Sequence, residues 1–237
     1  EMRFAPEKDY IVDVDAILDR VDQRTKIVFL ANPANPTGSC IPFSAVERLH
    51  RGLPAQTLLV LDGAYSEFAR AAPGFDAGLD LARVAPNVLM TRTFSKLYGL
   101  AGLRVGWGYG AADVIAALDR VRLPFNMTAP GQAAAIAALE DDDFADRSIA
   151  HVDQEREKLV AFFDRLGVRS IPSFANFVTV VFDRAEEAKA IDAALAARGV
   201  LVRGLTNYAM PTCLRVTVAG AEEMEIFREE FERALRR

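Results

Sequence analysis

Lys96 lies in Thr91-Arg-Thr-Phe-Ser-Lys-Leu-Tyr-Gly-Leu-Ala-Gly-Leu-Arg-Val-Gly-Trp107, just past an apolar run and ringed by hydroxyls, glycines and an arginine. That is a poor setting for an ordinary surface charge. It suits an amine that condenses with an aldehyde to form a Schiff base. Two more polar clusters stand upstream, Asn32-Pro-Ala-Asn-Pro-Thr-Gly38 and Asp62-Gly-Ala-Tyr65, and each again follows a short apolar run. Three strand ends are thus expected to aim polar groups at one place.

The elements that must position these groups can be read from the same residues. Lys26–Ala31, Thr57–Leu61, Asn87–Met90 and Arg104–Trp107 are short, apolar and separated by helical or polar stretches, as strands buried on both faces would be. Between the first two, Ser44 to Gly52 predicts a helix with Ser44 as N-cap and Glu47 three residues on, a capping box. This β-α-β unit implies an α/β fold, a mostly parallel sheet flanked by helices, with ligands outside the carboxyl ends of the strands. Residues 1–130 are expected to form this large domain. Residues 131–165 predict two connecting helices broken around Asp141-Asp-Asp143, an acidic triplet read as a solvated helix boundary because consecutive helical carboxylates face different ways. From 166 to 237 the pattern of strand (Asn176–Phe182), helix (Ala185–Arg198), two strands (Val200–Leu205, Cys213–Val218) and a closing amphipathic helix from Ala221 predicts a small C-terminal α+β domain.

Composition narrows the function classes. With 51% hydrophobic and 26% charged residues over 237 positions, the chain can bury a sizeable core. A net charge of -5, with Lys and Arg scattered, offers no basic field for nucleic acid. Two distant cysteines and two isolated histidines give no metal-ligand spacing, and no run is long and apolar enough to span a membrane. A cytoplasmic protein without a structural metal is expected. Gly106-Trp-Gly-Tyr-Gly-Ala111 fits a dinucleotide pattern, but Val121 to Leu139 holds no acid to bind a ribose, so these read as strand and turn glycines.

Taken in order, Asn-Pro-x-Asn-Pro-Thr-Gly, Asp-x-x-Tyr, and Ser-Lys with an arginine eight residues on resemble the fold-type I pyridoxal-phosphate (PLP) aminotransferases, most closely the histidinol-phosphate group. The resemblance runs through nearly the whole chain. It implies a PLP-dependent transferase fold, with Lys96 as the amine that binds the cofactor aldehyde and then moves a proton between substrate Cα and C4′. It implies Asp62 beneath the ring nitrogen, Tyr65 and Asn35 on the ring's phenolic oxygen, and Thr93, Ser95 and Arg104 on the phosphate, for which two hydroxyls and a planar guanidinium are suited. Arg215, an arginine in an otherwise apolar strand, needs an anionic partner; by resemblance this is the substrate α-carboxylate, and an ion pair with a nearby acid is the alternative. Arg203 resembles an arginine that contacts a distal phosphate, although Gly204 follows where that group has Asp. Asn176 matches a further position near the substrate.

The implied activity is transamination between histidinol phosphate, or a similar amino donor, and 2-oxoglutarate, in a homodimer. An aromatic amino acid aminotransferase, a decarboxylase of a phosphorylated amino acid and an inactive truncated chain share most of these motifs. The family pattern also includes a segment ahead of the position matching Glu1, with a phosphate-binding loop, a ring that stacks on the cofactor and an arm to a partner subunit. Phe4 and Tyr10 carry no motif for the stacking role. An exposed sheet edge and uncovered apolar surface are therefore expected.

Overall fold

A computed structural model describes residues 1–236. Two compact units emerge, one of Glu1–Ala34 with Cys40–Ser148, the other of Asn35–Ser39 with the chain from Ile149 onward.

The first unit runs β1 (Glu7–Lys8), β2 (Ile11–Val12), α1 (Val14–Leu18), β3 (Ile27–Ala31), α2 (Phe43–Gly52), β4 (Leu58–Asp62), α3 (Leu79–Val84), β5 (Val88–Thr93), β6 (Gly106–Gly110), α4 (Ala112–Val121) and α5 (Ala129–Glu140). Its main sheet has the order β3-β4-β5-β6, parallel except for β6, which returns antiparallel to β5. The register pairs Ala31 with Asp62, and Asp62 with Thr91, so the carboxyl ends of three parallel strands lie side by side as the sequence implied. Val28, Leu30, Leu59, Leu61, Val88 and Met90 bury one face of the sheet against α2, where Val46 and Leu49 point inward.

The expectation of strands buried on both faces holds for β4 and for Val88–Met90 of β5, and fails for β3 and β6. In β3, Phe29 is 72% exposed while its neighbours Val28 and Leu30 are buried, and β6 exposes Trp107 and Tyr109. Strand β3 thus has the alternating pattern of a sheet covered on one side. The capping box is also absent: α2 begins at Phe43 after Pro42, with no side-chain cap, which places Ser44 inside the first turn. Pro42 has the fixed φ that suits this entry. The glycines of β6 permit close approach to β5, because a Cβ on Gly106 or Gly110 would stand 2.8 Å from the carbonyl oxygen of Arg92 or Val88.

Helix α6 (Asp142–Arg165) follows α5 after a break at Asp141, whose Oδ1 accepts the Phe144 N–H at 2.9 Å. The acidic triplet is a helix boundary, as expected, and the division between the units falls within α6. The second unit continues with β7 (Arg169–Ile171), β8 (Phe177–Val181), α7 (Ala185–Ala196), β9 (Arg203–Gly204), β10 (Cys213–Thr217) and α8 (Ala221–Leu235). Its sheet, ordered β7-β8-β10-β9, is antiparallel throughout.

Four phenylalanines dominate this second core. Phe163 is fully buried, with its ring 5.5 Å from Phe162, 6.1 Å from Phe227 and 5.2 Å from Phe231, each edge-on. Phe163→Ala should destabilise the unit by about 3–5 kcal/mol, measured as a lower urea midpoint with an unchanged slope. Nearby, the buried Glu155 accepts Lys158 Nζ at 2.7 Å and Arg228 Nη1 at 3.4 Å, joining α6 to α8. The Lys158 bond, partly opposed by burial, holds the Glu155 carboxyl below its ordinary range.

Candidate active site

The loop after β3 is closed at its neck by Asn32, which the sequence motif contains but whose task sequence reasoning missed. Its Nδ2 donates to the Ile41 carbonyl and its Oδ1 accepts the Ile41 N–H, both at 3.0 Å. A reciprocal pair of this kind closes the loop as a backbone ladder would.

In the first unit, Asp62 ends β4 with its side chain exposed and one oxygen, Oδ1, accepting the Ala64 N–H at 3.0 Å. This is an Asx turn, so the turn-forming role open to an aspartate before glycine is real. The turn continues with the Ser66 N–H donating to Gly63 at 3.1 Å and delivers the buried Tyr65. Lys96 Nζ stands 5.2 Å from the centre of the Tyr65 ring. Lys96 itself is exposed. What distinguishes it from a free surface lysine is therefore its place over Tyr65 between the buried anchors Phe94 and Leu97, not burial of its own.

Thr93 closes β5 and its Oγ1 accepts the Ser95 N–H at 3.1 Å. With that lone pair used, its hydroxyl proton remains to donate. Thr93 pairs with Gly106 across β5 and β6, and Phe94 N–H bonds the Val105 carbonyl at 3.1 Å. Arg104 is thereby carried to the same strand end. Its backbone is left-handed, φ 54°, a conformation uncommon for a residue with a side chain, and its Nη1 donates to the Ala101 carbonyl at 2.8 Å. The structure thus gathers Asp62, Tyr65, Thr93, Ser95, Lys96 and Arg104 on adjacent strand ends of one sheet.

Asn35, Asn176, Arg203 and Arg215 belong to the second unit. The Asn35–Ser39 segment is held there by Thr179 Oγ1 on the Pro36 carbonyl at 2.6 Å and by Phe174 N–H on the Gly38 carbonyl at 2.8 Å. Gly38 has φ +78° and a Cβ there would collide with Ser173, so glycine is required twice over. Arg215, half-buried in β10, donates Nη1 to Asn35 Oδ1 and lies 4.9 Å from the Phe177 ring centre, while its buried Nε has no partner among the described residues. The alternative reading, an ion pair with a nearby acid, finds no support among the described residues: the guanidinium meets a neutral amide and an aromatic face, both compatible with its charge. Arg203, exposed in β9, is the direct cross-strand neighbour of Arg215. Like charges placed opposite each other repel, an arrangement that an anion between them would relieve. Asn176 immediately precedes β8, its carbonyl accepting the Val218 N–H at 2.9 Å, and Arg156 Nη1 secures the preceding Ala175 carbonyl at 3.1 Å.

A family model for the class I and II aminotransferases matches residues 1–230. The chain belongs to the class I and II aminotransferases. Among curated members it is 49% identical over 225 residues to histidinol-phosphate aminotransferase 1 of Caulobacter vibrioides, covering 94% of this chain and 62% of that protein. It is likewise 49% identical over 222 residues to the histidinol-phosphate aminotransferase of Sphingopyxis alaskensis, covering 92% of this chain and 60% of the relative. This aminotransferase-family chain therefore spans about three fifths of the length of the curated relatives it matches. A crystal structure of histidinol-phosphate aminotransferase from Sinorhizobium meliloti, in complex with pyridoxal-5'-phosphate, superposes with a TM-score of 0.91 at 33% identity, over 100% of this chain and 64% of that one. Among the described residues no helix is long and apolar enough to cross a membrane.

Proposed function

We propose that this aminotransferase-family chain binds pyridoxal phosphate through Lys96 and takes part in exchanging an amino group between histidinol phosphate and 2-oxoglutarate. The observation that carries this reading is Lys96 Nζ 5.2 Å over the Tyr65 ring, with Asp62 on the neighbouring strand end. The donor set fits the cofactor: an amine, a carboxylate, a phenol, two hydroxyls and a guanidinium, each matched to one of its functional groups. Bound pyridoxal phosphate would supply an aldehyde that links to amines and a pyridinium ring that draws electrons from the substrate Cα.

The chain's own residues supply the rest. Asp62, fixed through one oxygen by the Ala64 N–H, would hold a proton on the ring nitrogen with its other oxygen. Lys96 would carry the proton between Cα and C4′. Tyr65 would hydrogen-bond the phenolic oxygen. Asn35, in the second unit, has its Oδ1 taken by Arg215, so Nδ2 is left to donate, as suits the cofactor-binding role the resemblance implies for it. Thr93, Ser95 and Arg104 would bind the phosphate, the guanidinium supplying charge and the hydroxyls direction. Arg215 and Arg203, opposed across two strands, suit the anionic ends of the substrates, the α-carboxylate of 2-oxoglutarate in one half-reaction and a phosphate ester in the other.

The assembly we propose is a homodimer in a reducing, cytoplasmic setting. Both cysteines are free, and Phe29, Trp107 and Phe125 are exposed apolar residues of the kind a second chain covers. The donor is tested through Arg203→Ala, which should raise KM for a phosphorylated amine by about tenfold or more and for an unphosphorylated one by about twofold at most. Equal effects on both would remove the phosphate role. Consumption of 2-oxoglutarate without carbon dioxide release separates transamination from decarboxylation.

A further inference from the structure

The turn bearing Asp62 and Tyr65 is clamped from the strand that leads to Lys96. Asp62 lies opposite Thr91 in the β4–β5 register, and the Gly63 N–H donates to the Thr91 carbonyl at 3.0 Å. Arg92, next along β5, sends its side chain across this turn. A Cβ on Gly63 would stand 3.1 Å from Arg92 Cδ, 3.1 Å from the Thr91 carbonyl and 2.6 Å from Ser66 Oγ, so the stem crosses where residue 63 has no side chain. Beyond the crossing, Arg92 Nη1 meets Glu67 Oε1 at 3.0 Å, with the two side chains 17% and 13% exposed. Glu67 sits two residues past Tyr65, in a 3-10 turn whose Phe68 and Ala69 are buried. Arg92 sits four residues before Lys96.

Stability is a poor explanation for this pair. Taking both charges out of water offsets most of their attraction. Burial pushes the Glu67 carboxyl up against the pull of Arg92, and Arg92 Nε and Ser66 Oγ are buried with no partner among the described residues. Unsatisfied polar atoms of this kind cost stability. What the pair does supply is a fixed distance between two segments, one ending in Tyr65 and one continuing to Lys96.

We propose that Glu67 and Arg92 are positioning residues, their ion pair setting how the Tyr65 ring stands beneath Lys96 Nζ. The importance of that contact rests on Lys96 being the reactive amine, as proposed above.

The test reads Lys96 directly, in purified chain freed of carbonyl compounds by hydroxylamine and labelled with limiting acetic anhydride. The ratio of label on Lys96 to label on the exposed Lys26 is measured by peptide mass spectrometry. Glu67→Gln and Arg92→Gln should each change this ratio by about threefold or more, and the double change should add nothing to either, as for two partners in one contact. Arg92→Lys, which keeps the charge, should return the ratio towards its original value. Glu155→Gln removes a buried paired carboxylate in the second unit and should lower thermal stability without moving the ratio. An unchanged ratio in Glu67→Gln and Arg92→Gln, or an equal change in Glu155→Gln, would overturn the proposal. Should Arg92→Gln fail to fold, Glu67→Gln compared with Arg92→Lys decides on the same criterion. No PLP is present, so the result stands apart from whether Lys96 captures the cofactor, which is measured separately on the unaltered chain.

Discussion

Lys96→Ala should reduce transamination by on the order of 10⁵-fold and remove covalent capture of pyridoxal phosphate altogether. The size follows from the two tasks proposed for one amine, which would bond the cofactor and carry the proton between two carbons of the reacting pair. No neighbouring residue can inherit either task. The chain has five lysines, Lys8, Lys26, Lys96, Lys158 and Lys189, and of these Lys158 is already engaged by the buried Glu155 in the second unit. The fold should survive, because Lys96 is exposed and the anchors Phe94 and Leu97 remain. An unchanged melting temperature together with lost capture is the expected pair of results. Activity within about tenfold of the original would show that the reacting amine lies elsewhere.

Asp62→Asn should have the next largest effect, a fall in kcat of about 10²–10³-fold, the size associated with removing one preorganised electrostatic partner. Asparagine keeps the oxygen that accepts the Ala64 N–H, so the turn that delivers Tyr65 is preserved and only the charge is lost. That separates this substitution from a structural one. Stopped-flow measurement of each half-reaction should show slowed chemistry with little change in thermal stability. A loss of less than about threefold would mean that the Asp62 carboxylate serves only its turn.

Much of the site could be read from residue order because each chemical group falls just after an apolar strand, and strands in a parallel sheet end on one edge. Asp62, Thr93 and Lys96 were placed by that logic, and the register of β4 and β5 agrees. The helix break at Asp141 was equally plain, since three consecutive acids suit a boundary. Failures came where the outcome depends on what packs on the other side of an element. Phe29 and Trp107 look like core residues, and nothing local reveals that their faces are open. Asn35, which meets Arg215 Nη1, lies 180 residues away in chain order, so no local signal points to that contact. Asn32 and the Glu67–Arg92 pair escaped notice because their tasks are defined by contacts across the loop neck and across two strands. A short element such as β7 carries too few residues for a periodic signal.

The most direct test of the central claim is an absorbance scan of the purified chain with added pyridoxal phosphate, followed by borohydride reduction and peptide mapping. With only five lysines, the modified position can be assigned from a handful of peptides. The account predicts a visible band that borohydride removes, with the label on Lys96. A chain that shows no band, or that carries its label spread over Lys8, Lys26 and Lys189, would contradict it.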